Sequence, residues 1–417
     1  MSRTTHILIL VLLAATAAVG QQPDSLYRSA LQSYTAGRYA EAEAGFAALC
    51  DSTTPNVVFY LAMSHLSQND VREGIPLLSR AVALDPQNAA YRFQYARTLA
   101  QSGSPDQAAA EYEHLAADDP TFTAARYQLG LLRYEQRRYE AATTEFRAVL
   151  AQNPADYLAY YYLGSTFVAM GETDSARAVL PPCLSLNPRF TPAIVLLASL
   201  YYAEGHHEEA IRLYSRAAEL RPLDPELPYK IGLAFGKLGK IDSALVYVSQ
   251  AARRDTANDI YAAQAGYYHI VEEQYDSAIT CYRRAVTLDP ENSLYFINLA
   301  LTFTRLGQQD SAIDVYARGV KACRPENIAL IYLRLGTLNY YKKEYKRALS
   351  SYEQALDLDP LSTEAQYYVA LAYDQLANPQ AATKGYRRYL ALAKDDTTAL
   401  ERERKRTAGD RLRLLKR

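Results

Sequence analysis

Alanine returns at one interval through most of this chain. Ala108, Ala142, Ala176, Ala210, Ala244, Ala278 and Ala312 stand 34 residues apart; Ala348 follows after 36 and Ala382 after a further 34. A second column of small residues runs in the same phase, through Ala62, Ala96, Gly130, Gly164, Ala198, Gly232, Gly266, Ala300, Gly336 and Ala370. Prolines form a third, at Pro86, Pro120, Pro154, Pro188, Pro222, Pro290 and Pro360. Three columns in one phase mark a tandem repeat, in which one supersecondary unit is stacked many times. Such a chain grows by adding neighbours, so its 417 residues do not imply several globular domains.

Each unit carries two amphipathic stretches. In the unit 123–156, RYQLGLLRYEQ and YEAATTEFRAVLAQ both place apolar residues at three- and four-residue spacing, which predicts a pair of helices. A break at Arg137-Arg138 separates them. Sister units hold Gly103, Gly171, Gly205, Gly239 or Gly307 there, residues that end a helix at little steric cost. The proline column stops the second helix. The small columns predict close approach of the two helices, so leucine at Gly164 or Ala210 is expected to cost about 1–3 kcal/mol by overpacking. Phe146, Tyr214, Tyr282, Tyr316, Tyr352 and Tyr386 recur on the second helix and are expected to fill the gap toward the next unit.

These units resemble tetratricopeptide repeats. The residues that carry the likeness include YYLGSTF (161–167) with TDSARAVL (173–180), and IYLRLGTLNY (331–340) with YKRALSSYEQALDLDP (345–360). The resemblance covers about residues 23–394 and implies eleven units, starting near 23, 55, 89, 123, 157, 191, 225, 259, 293, 329 and 363. The family tryptophan is absent, Thr256 and Arg324 stand near two missing prolines, and Gly74 and Pro76 make the second unit irregular. Two extra residues around Cys323-Arg324-Pro325 are expected to widen one turn. The resemblance implies an all-α, right-handed alpha-alpha superhelix. Its concave groove, lined by the first helices, would hold a peptide or protein element.

The ends read differently from the array. Residues 1–20 carry a basic start, the run ILILVLLAATAAV and small residues at Ala18-Val19-Gly20. This is the pattern of a secretory signal peptide cut before Gln21, with export to a bacterial periplasm or outer cell envelope. The array spans 21–394. Residues 395–417 form a basic capping helix or tail in which Thr398 can cap a helix. That end either closes the stack or meets an acidic or anionic partner. The formal net charge of −1 argues against nucleic acid as a partner, and no second apolar stretch is long enough to span a membrane.

No phosphate loop, metal motif or nucleophile elbow is present, so neither catalysis nor a cofactor or metal is expected. His206-His207 is read as an exposed pair on a turn. Cys50, Cys183, Cys281 and Cys323 are read as small apolar residues. Partner contacts are expected on the first helices. One row runs through Phe93, Tyr127, Tyr161, Val195, Tyr229, Ile297, Leu333 and Tyr367. A second runs through Tyr134, Tyr202, Ile270 and Tyr340, with Tyr267 between the rows. Tyr127, Leu131, Tyr161 and Ser165 stand where the family's carboxylate clamp needs basic and amide residues. Arg97, Lys230, Lys237, Arg305 and Arg334 are scattered along the first helices. The expected function is therefore a non-catalytic scaffold for an extended or helical protein segment with apolar anchors. Glycan binding or a role in polysaccharide export, by ring stacking on the tyrosines, is the alternative.

Overall fold

The structure, a computed structural model, describes residues 25–50 and 54–415. The signal-peptide reading of 1–20 lies outside the described residues. The chain forms two compact units that divide after Leu200. The first unit contains α1 (Ser25–Thr35), α2 (Tyr39–Leu49), α3 (Pro55–Ser67), α4 (Val71–Leu84), α5 (Ala89–Gln101), α6 (Pro105–Asp118), α7 (Thr123–Glu135), α8 (Tyr139–Gln152), α9 (Tyr157–Met170) and α10 (Thr173–Leu186). Helix α11 (Thr191–Ala203) runs across the division. The second unit continues with α12 (His207–Leu220), α13 (Glu226–Lys237), α14 (Ile241–Arg254), α15 (Asp259–Val271), α16 (Tyr275–Leu288), α17 (Ser293–Arg305) and α18 (Gln309–Ala322). It ends with α19 (Pro325–Tyr341), α20 (Tyr345–Leu358), α21 (Thr363–Gln375), α22 (Pro379–Leu392) and α23 (Ala399–Leu414). Among the described residues every element is a helix, so the fold is all-α.

Within each unit odd- and even-numbered helices pair into hairpins, and one backbone device ends every first helix. The residue after each first helix's last turn has a positive φ, between 55° and 86°. It is Gly37, Asn69, Gly103, Arg137, Gly171, Gly205, Gly239, Glu273, Gly307, Lys343 or Ala377. The next amide then donates to the carbonyl five residues back, as in Glu172→Phe167 at 2.9 Å and Glu344→Asn339 at 2.9 Å. This is the left-handed helix stop, which satisfies the orphan carbonyls. Glycine reaches that conformation freely, and five units reach it with a side chain.

Connections back to the next first helix use a different local chemistry. An Asp or Asn precedes the turn and its side chain accepts the amide two residues on, as Asp119 does from Thr121 at 2.9 Å and Asn187 from Arg189 at 3.3 Å. The Thr121 hydroxyl and amide hold the Asp119 carboxyl below its ordinary pKa. Proline next to the Asx residue presets the turn. The segment at 323–325 departs from this pattern. Instead of widening the turn, the two added residues leave a two-residue connection, and α19 gains a turn at its start, reaching 17 residues where its sister first helices have 11–14. Pro325 suits a first helical position, where its missing N–H has no intrahelical partner to lose.

Packing within a hairpin follows the small columns. A Cβ added at Gly336 would lie 2.6 Å from the Tyr352 ring, and one at Gly130 2.8 Å from Phe146. The same second-helix rings reach the next hairpin. Phe46 stacks on Tyr60, Phe146 on Tyr162 and Tyr352 on Tyr368, with centroids 5.5, 5.9 and 5.3 Å apart. Each ring is thus clamped between a glycine or alanine of its own hairpin and a ring of the next. Leucine at Gly336 has no space to enter, because Tyr352 is fully buried and cannot retreat. Chemical denaturation is expected to show a loss of about 1–3 kcal/mol for Gly336→Leu.

Helix α23 closes the second unit. Thr398 caps it, its hydroxyl accepting from the Glu401 amide at 3.4 Å. Ala408, Leu412 and Leu415 pack onto Tyr367, Tyr386 and Tyr389. Part of its basic charge is consumed internally. Arg404 bonds Glu401 at 2.7 Å and Glu364 at 3.1 Å, and Lys405 bonds the backbone carbonyls of Lys394 and Asp396. Arg411 grips Asp374 with two bonds of 2.6 Å.

Candidate partner-binding face

The first expected row is turned into the stack. Phe93 meets Phe122 at 5.6 Å, Tyr127 meets Tyr162 at 5.9 Å, and Tyr161 meets Phe190 at 5.2 Å. In the second unit Tyr229 meets Tyr261 at 4.7 Å and Tyr367 meets Tyr389 at 5.0 Å. Phe93 and Tyr367 are only 6% and 8% exposed, and Ile297 and Leu333 are buried as well; Val195 is half-buried. These four buried residues pack within or between hairpins and offer no surface to a partner, while Tyr127, Tyr161 and Tyr229 are half-buried. The second row is also half-buried: Tyr134 lies against Tyr139 and Tyr162, Tyr202 against His207, and Tyr340 against Tyr345 and Tyr368. Ile270 packs on the core of the second unit.

Tyr267 differs, with 52% of its surface exposed. It is the ninth residue of α15. A helix turns 100° per residue, so the ninth position lies about 40° round from the fifth, where the first row sits. The second and thirteenth positions lie about 60° and 80° round on the same side. On three consecutive first helices of the second unit these positions carry exposed apolar side chains. They are Ile260, Tyr267 and Val271 on α15, Leu294 and Leu301 on α17, and Leu330 and Tyr341 on α19, the last 70% exposed. Equivalent positions in the first unit are mostly small, polar or half-buried, with Leu31, Leu131, Leu158 and Ser165 half-buried and Pro192, Gln101 and Glu135 exposed. The thirteenth-position row also carries Lys237 on α13 and Arg305 on α17, both exposed.

Of these exposed positions the sequence pointed to Tyr267 alone, because its tyrosine rows centre on the fifth position, where the ring serves packing. The available signal was departure from the repeat. Columns that stay constant hold the stack, whereas the second-position column varies, with Ile260, Leu294 and Leu330 flanked by Glu226 and Glu364.

Other candidate groups do not assemble into a site. His206 is exposed, but His207 is half-buried, its ring 5.3 Å from Tyr202 and its Nδ1 buried without a hydrogen-bond partner, so the pair is not wholly solvated. All four cysteines are unpaired. Cys183 and Cys323 are buried and Cys50 and Cys281 half-buried; burial pushes the Cys183 thiol up to about 11. Among the described residues no group of three or more His, Cys, Asp or Glu is placed to hold a metal ion, and no helix is long and apolar enough to cross a membrane.

Family models described as tetratricopeptide repeat match residues 65–132, 127–180, 263–327 and 329–362, and one described as TPR repeat matches 198–239. No curated protein matches the chain. Among solved structures, a tetratricopeptide repeat protein from Parabacteroides merdae is 16% identical over 60% of this chain and 98% of its own, with a TM-score of 0.44. MamA is 23% identical over 40% of this chain and 91% of its own, at 0.39. Yeast Tom70 is 16% identical over 94% and 95%, at 0.41. With the 34-residue columns, the helix hairpins and the glycine-clamped rings already in place, these family matches make the chain a member of the tetratricopeptide-repeat family.

Proposed function

We propose that the protein is a non-catalytic scaffold that binds a peptide or protein element on the exposed face of α15, α17 and α19. The observation that carries this reading is the run of exposed apolar side chains on three consecutive first helices, at positions that in most other repeats are polar, small or at least half-buried. Exposed apolar side chains that recur on one side of successive helices are a mark of interaction surfaces. Repeat proteins bury partners on such extended surfaces. The basic start, apolar run and small-residue end of 1–20 support export to the bacterial periplasm or outer envelope as the place where it works.

The test is quantitative capture from envelope fractions by wild type, Leu301→Asp and a Val246→Asp control on the exposed side of α14. Removing one anchor from an interface typically costs about 2 kcal/mol or about 30-fold in affinity. The expected result is a partner protein recovered by wild type and the control and reduced to background by Leu301→Asp. Equal recovery by all three would move the binding site elsewhere, and recovery of glycan alone would replace the reading.

A further inference from the structure

Helices α22 and α23 close the second unit with unpaired positive charge. Helix α22 carries Lys384, Arg387 and Arg388 and no acidic residue. All three are exposed. At 100° per residue they lie on the side of α22 opposite buried Ala382, Tyr386 and Tyr389. The preceding second helix, α20, offsets Lys346 and Arg347 with Glu353 and Asp357, so the excess begins at α22.

Helix α23 packs against α22 and adds a second stripe. Going round α23, Arg411 and Arg404 come first and reach Asp374 and Glu364 of α21. Glu401 follows and accepts the Tyr389 hydroxyl of α22 at 2.6 Å. Arg402 and Arg406 come next, about 100° and 140° beyond Glu401, exposed and on the α22 flank. Like Lys384, Arg387, Arg388 and the exposed Lys394 of the connection, they make no ion pair among the described residues. The nearby carboxylates are mostly taken. Glu401 is held by Arg404, Asp410 by Arg413, and Asp396 accepts the Thr398 amide. Of the carboxylates on α22, α23 and their connection, Asp395 and Glu403 are left to offset these cations.

What covers such a surface follows from what it lacks. Protein interfaces draw affinity from buried apolar anchors, and charges at the rim contribute little. No large apolar side chain is exposed on α22. Those of α23, Leu400 and Leu414, stand at its two ends on the flank away from α22. A layer of anionic lipid headgroups needs no anchor. It holds clustered Lys and Arg by charge, at about five-fold in affinity for each, or about 1 kcal/mol. We infer that α22 and α23 together form a basic surface that seats the second unit on an anionic phospholipid bilayer. This inference does not rest on the partner-binding reading of α15, α17 and α19.

Vesicle co-sedimentation of the purified full chain tests it. One set of vesicles is phosphatidylcholine alone, and the other contains about 30 mol% phosphatidylglycerol. Wild type is compared with Lys384→Gln/Arg387→Gln/Arg388→Gln, with Arg402→Gln/Arg406→Gln, and with Lys237→Gln/Arg305→Gln/Arg318→Gln, which removes exposed cations elsewhere in the second unit. Circular dichroism checks that each variant is folded. Wild type and the last variant are expected to sediment with the anionic vesicles and to leave the neutral ones. The α22 variant is expected to bind the anionic vesicles about 100-fold more weakly and the α23 variant about 25-fold more weakly. Equal binding to both kinds of vesicle, no binding to either, or an equal loss in the Lys237/Arg305/Arg318 variant overturns the inference. Polyglutamate is titrated in parallel. Its binding by wild type, without any to vesicles, would hand the surface to an acidic protein and overturn the inference as well.

Discussion

Between pH 10 and 12 the folded protein is expected to unfold in step with ionisation of its tyrosines. The chain has 36 of them, and the rings clamped between hairpins are buried. Burial pushes Tyr268 and Tyr316 up to about 12, and raises Tyr60, Tyr91, Tyr112, Tyr282 and Tyr352 for the same reason. An unfolded tyrosine ionises near pH 10. Below that pH both states are protonated and the stabilisation is complete. Above it the folded state binds more protons than the unfolded one, so stability falls as pH rises. Each such tyrosine removes about 1.4 kcal/mol per pH unit, so Tyr268 and Tyr316 together remove about 5 kcal/mol by pH 12. Domains have about 5–15 kcal/mol to lose, and the five further rings add to the deficit. Above the gradual ionisation of exposed rings such as Tyr341, the remaining tyrosinate absorbance and the helical circular dichroism, followed together, should change in one cooperative step. Smooth ionisation of all tyrosines near pH 10 with the helices intact would contradict the burial described here.

The second large effect lies at the C-terminal end. Asp374 on α21 is 5% exposed, accepts both Arg411 bonds of 2.6 Å from α23, and takes the Tyr386 hydroxyl at 3.0 Å. Alanine there strands a guanidinium and a phenol together. Breaking a buried pair costs about 3–5 kcal/mol. Arg411 keeps 40% of its side chain in water, which brings the expected loss to about 2–3 kcal/mol. Asp374→Asn keeps an acceptor for Tyr386 and should lose about half as much. Because each repeat touches only its neighbours, the damage stays local. Hydrogen exchange should quicken in α22 and α23 and stay unchanged in α15 and α17. Unaltered protection in α23 would mean that the ion pair does not hold the cap.

Much of this architecture was legible in the sequence because the repeat fixes both period and packing. The small columns at Gly130, Gly266 and Gly336 mark where rings enter, and Gly103, Gly171 and Gly205 mark the left-handed stops. Arg137, Glu273, Lys343 and Ala377 adopt the same backbone without any local signal, since the hairpin on either side imposes it. The insertion before α19 was misread because two residues can lengthen a loop or a helix, and Pro325 at the first helical position favoured the helix. The exposed apolar positions lie about 40–80° of helix rotation from the fifth-position row. Tyrosine carries an apolar ring and a polar tip, so in a repeat it suits the joint between units as well as an interface. Exposure at Tyr267 and Leu301 depends on what the neighbouring helices leave uncovered, which one helix's periodicity does not report.

Photo-cross-linking in cells tests the partner-binding face most directly. A photoreactive residue is placed in turn at Tyr267, Leu301 and Tyr341, with Val246 and buried Phe93 as controls. One protein joined at the first three positions and absent at the two controls is the expected result. Adducts that form equally at Val246, or that appear at none of the three, would contradict the assignment of the exposed face of α15, α17 and α19 as the working surface of this protein.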